Sequence, residues 1–393
     1  MKNIYLAYVV TFLRNCWFFL GIWVLYYLRF TDYAGIGLIE AVMIAALAIL
    51  EIPTGAIADL FGRVKTVFMA LIFLTIGNLI MGFAHNSNDL ILSVICMSIG
   101  AALYSGTFEA VVYDNLVDQN KESIYPTVIG RIKAISLIAY ACCAPIGGFM
   151  YKFNPQLPFL AAALMALVGA ILSLMITEPK RVSSQPSFLV YVNQLTSGMK
   201  QIINKQYVHL ILPILVIGMF SEIAYEILDD VLFVNFGFSS VQLGIISGLA
   251  YVFYAVIGLL TPKISQIPNK RIVHLVFGLL IGISFAITPL LGMWLGGMVI
   301  IMRESISQLF DGYSSVEING VIDSEHRATA LSSFSMLKNG LYVLMAFWIG
   351  KAMNSVGPKN FAGWLGLAMI CCLTLVMVKF QTPHRPCGPD CTG

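Results

Sequence analysis

Charge is what this sequence has least of. Only 11% of its 393 residues are Asp, Glu, Lys or Arg, whereas 59% are apolar before glycine is counted. A water-soluble domain carries roughly 25% charged residues and about 45–50% apolar ones with glycine included. Lipid must therefore be the second solvent. Other absences narrow the class further. The glycine pair Gly147-Gly148 lacks the lysine and the serine or threonine of a phosphate cradle, which argues against ATP-driven transport by this chain. There is no nucleophile constellation, no metal-ligand cluster and no matched pair of acids on neighbouring positions. The chain does not read as an enzyme, and no cofactor, metal or nucleic-acid partner is expected.

The cysteines form no disulfide framework. Cys16, Cys96, Cys142, Cys143, Cys371 and Cys372 lie inside apolar stretches, where cysteine behaves as a small hydrophobe. Cys387 and Cys391 lie in a polar tail without a third or fourth metal ligand nearby. N-glycosylation sequons are missing and most connections are short, which fits a bacterial inner membrane. The first apolar stretch, from Leu6 to Leu28, is too long for the apolar core of a signal peptide and reads as the first spanning helix.

A membrane-crossing helix needs about 20 mostly apolar residues. Twelve such stretches are present. Six run near 5–29, 35–54, 66–84, 90–113, 128–150 and 157–177, and six near 208–234, 241–261, 272–291, 294–320, 328–352 and 361–379. The most polar long stretch separates the two sets. The expected fold is an all-α membrane protein of twelve transmembrane helices in two pseudo-symmetric six-helix bundles, working as a monomer. Its parts are bundle 1–177, linker 178–206, bundle 207–380 and tail 381–393. The fifth and eleventh stretches each follow a short charged loop and end near a glycine, Gly148 and Gly350, as a duplication would leave them. Lysine and arginine set the orientation. With both termini cytoplasmic, fourteen of the 23 fall in inside segments and at most four (Arg29, Lys152, Lys351, Lys359) outside.

The connection after the second stretch reads Gly55-Ala-Ile-Ala-Asp59-Leu60-Phe61-Gly62-Arg63-Val64-Lys65. It resembles the G-x-x-x-D-R-x-G-R-[RK] signature of the major facilitator superfamily, in the same loop, with Leu60 and Val64 replacing two basic residues. The resemblance implies a charge-linked latch in which Gly55, Asp59, Gly62 and Arg63 engage the inner end of the fourth helix at Asp114 and hold the outward-open state. The plain alternative is that Asp59 and Arg63 cap helices. A second signature of the family, a glycine–proline pattern associated with antiporters, is partly matched by Ala141-Cys-Cys-Ala-Pro145-Ile-Gly147-Gly148 and tilts the reading towards export.

Ionisable residues at mid-bilayer cost about 2.5–3.5 kcal/mol each on insertion scales and are rarely accidental. Here they concentrate on the first, fourth, seventh and tenth spans, with Glu40 on the second and Lys338 on the eleventh. The resemblance implies that the first four of these line a central cavity. On the seventh, Glu222, Glu226 and Asp229 fall at i, i+4 and i+7 and share one helical face. Desolvated and close to like charge, such carboxyls can take up and release protons as access alternates. Glu222, Glu226 and Glu109 are therefore the expected proton carriers, and an ion pair with Arg303 is the structural alternative for the seventh span. Substrate contacts are expected from Arg14, Asn15, Phe18, Arg303, Glu304, Gln308 and Lys338; for Arg14 the alternative is a salt bridge to Glu109. The cavity is thus expected to carry both signs.

The leading functional expectation is a proton-coupled exporter of a small organic molecule. Symport or export of an organic anion is the second. A non-transporting receptor on the same fold is a third, disfavoured by the short connections and the loop motif.

Overall fold

The computed structural model describes residues 2–179, 208–322 and 327–379, and within these the side chains at 52–53, 55–60 and 327–332 are not described. Most of the expected linker, the tail and Cys387 and Cys391 lie outside the described residues. Among the described residues there is helix and no strand, arranged as twelve consecutive traverses. At membrane depth every backbone N–H and C=O must find a partner inside the protein, and helices achieve this within one segment.

The first bundle comprises α1 (Lys2–Arg14, resuming at Trp23–Tyr27), α2 (Tyr33–Phe61), α3 (Arg63–Gly82), α4 (Ser87–Tyr104 and Thr107–Val117), α5 (Tyr125–Phe153) and α6 (Leu157–Ser173). The second comprises α7 (Val208–Asn235), α8 (Ser240–Gly258), α9 (Lys270–Ile287), α10 (Met293–Val321), α11 (Arg327–Val356) and α12 (Pro358–Lys379). Local chemistry sets several starts: Asn86 caps α4, Asn269 caps α9, and Ser239 with Gln242 forms a capping box at α8. Eight segments are long and apolar enough to cross a bilayer by length and composition. Of the other four, α1 is unwound over residues 15–22, the α6 helix has 17 residues, and α10 and α11, at 29 and 30 residues, are long enough but too polar. α4, expected as one continuous span, is broken at Ser105-Gly106, where Gly106 has φ +69°.

The bundles meet along two seams, α5 against α8 and α2 against α11, and both depend on glycine. A Cβ at Gly148 would strike the Ser240 carbonyl and lie 3.1 Å from the Gly244 Cα, and one at Gly350 would strike the Tyr33 carbonyl. The two glycines that hinted at duplication in the sequence thus hold equivalent places. Asn354 Nδ2 adds a 2.8 Å bond to Asp32 Oδ2 across the second seam. These close approaches all lie between mid-depth and the face opposite the chain termini, so that face is shut. Gly148→Val should wedge the first seam open. A cysteine replacing Ser247, beside Gly21, should then react several-fold faster with a membrane-impermeant maleimide added at that face; an unchanged rate would show that the seam absorbs the side chain.

Candidate functional site

A wide turn in α7 builds the site. Residues Ala224–Leu228 form a π-helical turn, which accommodates one residue more than an α-turn. Each residue advances an α-helix by about 100°, so the extra one turns everything beyond it. The face expected to run Glu222–Glu226–Asp229 continues instead through Asp230. Asp229 is swung inward and meets Arg303 of α10 in a bidentate ion pair, Nη2 to Oδ1 and Nε to Oδ2, the second at 3.3 Å. Both side chains are sealed, at 0% and 1% exposure, and the guanidinium lies over the Phe285 ring with its carbon 4.2 Å from the centroid. The expected structural role for Arg303 is therefore taken up by Asp229 alone, and Glu222, Glu226 and Asp230 are left for other work.

A cavity of about 240 Å³ lies between the bundles at mid-depth. The first bundle lines it with Trp17, Phe19, Trp23, Tyr27, Glu40 and Phe159, and the second with Tyr225, Glu226, Asp230, Tyr251, Tyr254 and Glu304. Aromatic rings run across it from one bundle to the other: Trp17 lies 5.4 Å from Tyr140, Tyr140 lies 5.0 Å from Tyr251, and Tyr251 lies 5.6 Å from Tyr254, centroid to centroid. Four carboxyls face the space, and no lysine, arginine or histidine is among its described lining residues. Two of the four are held by neutral donors. The Trp23 indole N–H donates to Asp230 Oδ2 at 2.6 Å, joining the bundles, and the Tyr254 hydroxyl donates to Glu304.

A second, polar chamber lies inside the second bundle and shares Tyr225, Glu226 and Glu304 with the first. Lys338 of α11 is its built-in cation, 2.7 Å from Glu222 and 3.7 Å from Asp311. Gln308 lines this chamber, as do Ser221 and Ser307, whose buried hydroxyls have no partner among the described residues. Glu226 and Glu304 thus stand where the aromatic cavity and the polar chamber meet.

The remaining sequence-derived residues fall elsewhere. Arg14 lines neither space; its guanidinium carbon is 4.4 Å from the Tyr104 centroid and Nη1 donates to Asn15 Oδ1 at 3.0 Å. No ion pair to Glu109 is present among the described residues, and Glu109 is exposed and outside both spaces. Asn15 is engaged by its own bundle, accepting from Tyr140 at 2.7 Å and donating to the Thr11 carbonyl at 2.8 Å. Phe18 is buried against Cys16, Cys143 and Ala162. Of the cations expected on the cavity walls, Arg14 is held by aromatics, Arg303 is sealed with Asp229, and Lys338 lines the adjoining polar chamber.

At the face that holds the termini, Arg63 and Asp114 form an ion pair, both about a fifth exposed. The carboxylate of Glu178, just beyond α6, accepts the first free N–H groups of α3, from Arg63 at 2.7 Å and Val64 at 3.0 Å. Gly62, at φ +99°, makes the reversal between α2 and α3 possible. The side chain of Asp59 and the surroundings of Gly55 lie outside the described residues. Every described member of this cluster belongs to the first bundle.

Sequence reasoning missed Asp230, Tyr251 and Tyr254 and assigned no role to Glu40. Glu40 was visible as a lone acid in an apolar span, a signal strong enough to have placed it. Asp230 was hidden by the assumption of an unbroken α-helical register.

Residues 4–340 match the Major Facilitator Superfamily. Multidrug resistance protein 1 of Bacillus subtilis (strain 168) is 30% identical over 218 residues, covering 53% of this chain and 54% of that protein. Multidrug resistance protein 2 of the same organism is 24% identical over 279 residues, covering 63% and 67%. The match therefore spans about half the length of the first relative. The crystal structure of the nucleoside transporter NupG superposes with a TM-score of 0.82 at 15% identity, covering 98% of this chain and 100% of that one. At that identity the likeness is one of fold.

Proposed function

The chain belongs to the major facilitator superfamily, and on that premise we propose that it exports an amphipathic organic cation in exchange for protons, by rocking its two bundles about the aromatic cavity. The observation that carries this reading is the cavity wall: Glu40, Glu226, Asp230 and Glu304 set among tyrosine and tryptophan rings, with no cation among the described lining residues. Rings offer an apolar body a stacking surface and attract positive charge to their faces, and carboxylates fix the charged end. The names of the two Bacillus relatives point the same way, as does the partial glycine–proline pattern in α5.

In this reading the termini face the cytoplasm of a bacterial inner membrane, as the lysine and arginine bias predicts. The structure then corresponds to an inward-facing state of a monomer. A cation entering from the cytoplasm takes the place of protons on the cavity carboxyls, and those protons leave by way of Glu226 and the polar chamber. Once the opposite face has opened, protons return to the carboxylates and release the cation. Proton and substrate thus compete for the same oxygens, which is the simplest physical basis for exchange. The Arg63–Asp114 pair acts as an internal brace of the first bundle, keeping the α2–α3 loop in shape as the bundle moves.

A second reading, transport of an organic anion, draws on Arg14, which has no carboxylate at ion-pair distance among the described residues. One experiment separates the two. Liposomes containing the purified protein are loaded with a pH-sensitive dye and exposed to a panel of organic cations and organic anions. The proposal expects proton movement with aromatic cations and none with anions. Movement with anions alone would transfer the assignment to Arg14.

A further inference from the structure

α1 does not cross the membrane as one helix. Between Arg14 and Trp23 the backbone runs through short turns, with Trp17 N–H bonding the Asn15 carbonyl at 2.8 Å, Leu20 N–H that of Trp17 at 3.2 Å and Ile22 N–H that of Phe19 at 3.1 Å. Close packing fixes this path from two sides. A Cβ at Gly147 would collide with the Phe18 carbonyl, and Gly21, at φ +75°, leaves no room for a Cβ beside Ser247 of α8. The asparagine at the start of the break also turns its side-chain amide onto the Thr11 carbonyl, a local bond that competes with helix continuation.

The break leaves acceptors without donors. Among the described residues, no N–H or O–H donates to the carbonyl oxygens of Leu20 or Gly21, and both residues line the aromatic cavity. Irregular backbone at membrane depth persists only where protein, water or a ligand answers its polar groups. The opposite wall adds further acceptors in the carboxyls of Glu226 and Asp230. Two of the cavity's donors, the Trp23 indole and the Tyr254 hydroxyl, are already engaged by Asp230 and Glu304.

We propose that the cavity selects cations bearing at least one N–H (protonated amines, amidines or guanidines) over fully alkylated ammonium ions, with the Leu20 and Gly21 carbonyls and the Glu226 and Asp230 carboxyls sharing those N–H groups. This rests on the cation reading above and refines it. Charge and aromatic surface alone would accept a quaternary ammonium as readily as a protonated amine. The two backbone carbonyls favour the protonated amine, because a fully methylated nitrogen brings no donor to them.

The test uses the full-length protein in detergent at neutral pH and three probes that are all cations there: pyrenylmethylammonium and its N,N-dimethyl and N,N,N-trimethyl derivatives. Binding is read from quenching of tryptophan fluorescence. The last two probes differ by one methyl group and one N–H. The dimethyl probe should bind at least about tenfold more tightly than the trimethyl probe, as the loss of a charge-assisted hydrogen bond predicts. Equal binding would overturn the inference and leave the cation reading intact. Failure of all three probes alongside binding of pyrenyl carboxylates would overturn the cation reading itself. In the Glu226→Gln, Asp230→Asn double variant all three affinities should fall while the preference for N–H persists. Disappearance of the preference would assign it to the carboxylates and remove the backbone from the recognition.

Discussion

Glu226→Gln should abolish substrate-driven proton release in liposomes and weaken binding of an aromatic cation by about 10- to 100-fold. The loss of a charged hydrogen-bonding partner worth about 1.5–3 kcal/mol sets that range. Glutamine keeps the size and most of the polarity of the side chain, so the cavity should keep its shape. What is lost is the proton and the negative charge, at the one α7 carboxyl among the described residues that lines both the aromatic cavity and the polar chamber. Glu222→Gln is the matched control. Its carboxylate lies 2.7 Å from Lys338, deeper in the polar chamber and outside the cavity lining. It should retain cation binding and a substrate-dependent proton signal, with slower turnover because Lys338 is left with Asp311 at 3.7 Å. The reverse pattern, with Glu222→Gln silent and Glu226→Gln active, would move the exchange carboxyl into the polar chamber.

The second large effect is on stability. Arg303→Met removes one half of a sealed ion pair and leaves the Asp229 carboxylate buried without its partner. Breaking such a pair costs about 3–5 kcal/mol, far more than the pair contributes relative to apolar replacements. The expected result is a sharp fall in Tm in detergent, or in the yield of folded protein. Arg303→Met combined with Asp229→Leu should recover most of the loss, because neither charge is then stranded. Native-like stability of the single variant would mean that Asp229 is already neutral in the fold and that Arg303 is held by Phe285 and Thr288 instead.

The architecture was legible because the bilayer imposes a length and a composition on each crossing. The ranges read from apolar runs match the helices closely wherever a traverse is regular, as at α3, α9 and α12. They missed the interruptions in α1 and α4, since a break built on a glycine at positive φ, Gly21 or Gly106, leaves the run just as apolar. The site was legible in part for a related reason. Charge inside a membrane announces itself, so Glu222, Glu226, Arg303, Glu304 and Lys338 were found without a structure. Which of them share a space was not, because pairing depends on helical phase and on neighbours distant in sequence. Arg14 illustrates the second point: its ring partner Tyr104 is 90 residues away and neutral, so no rule about opposite charges could have found it.

The wide turn at Ala224–Leu228 also bears on how this chain should be aligned with its relatives. Deleting one residue there would restore a regular helix and leave Asp230 on the cavity face and Asp229 beside Arg303, with Asp230 now seven residues after Glu222 instead of eight. A relative without the extra residue can therefore present the same carboxylate to its substrate from a column one place earlier. A gap-free alignment through this stretch would score that position as divergent although the chemistry is unchanged. Functional comparison across the turn has to follow the walls of the cavity and not the count of residues along the chain.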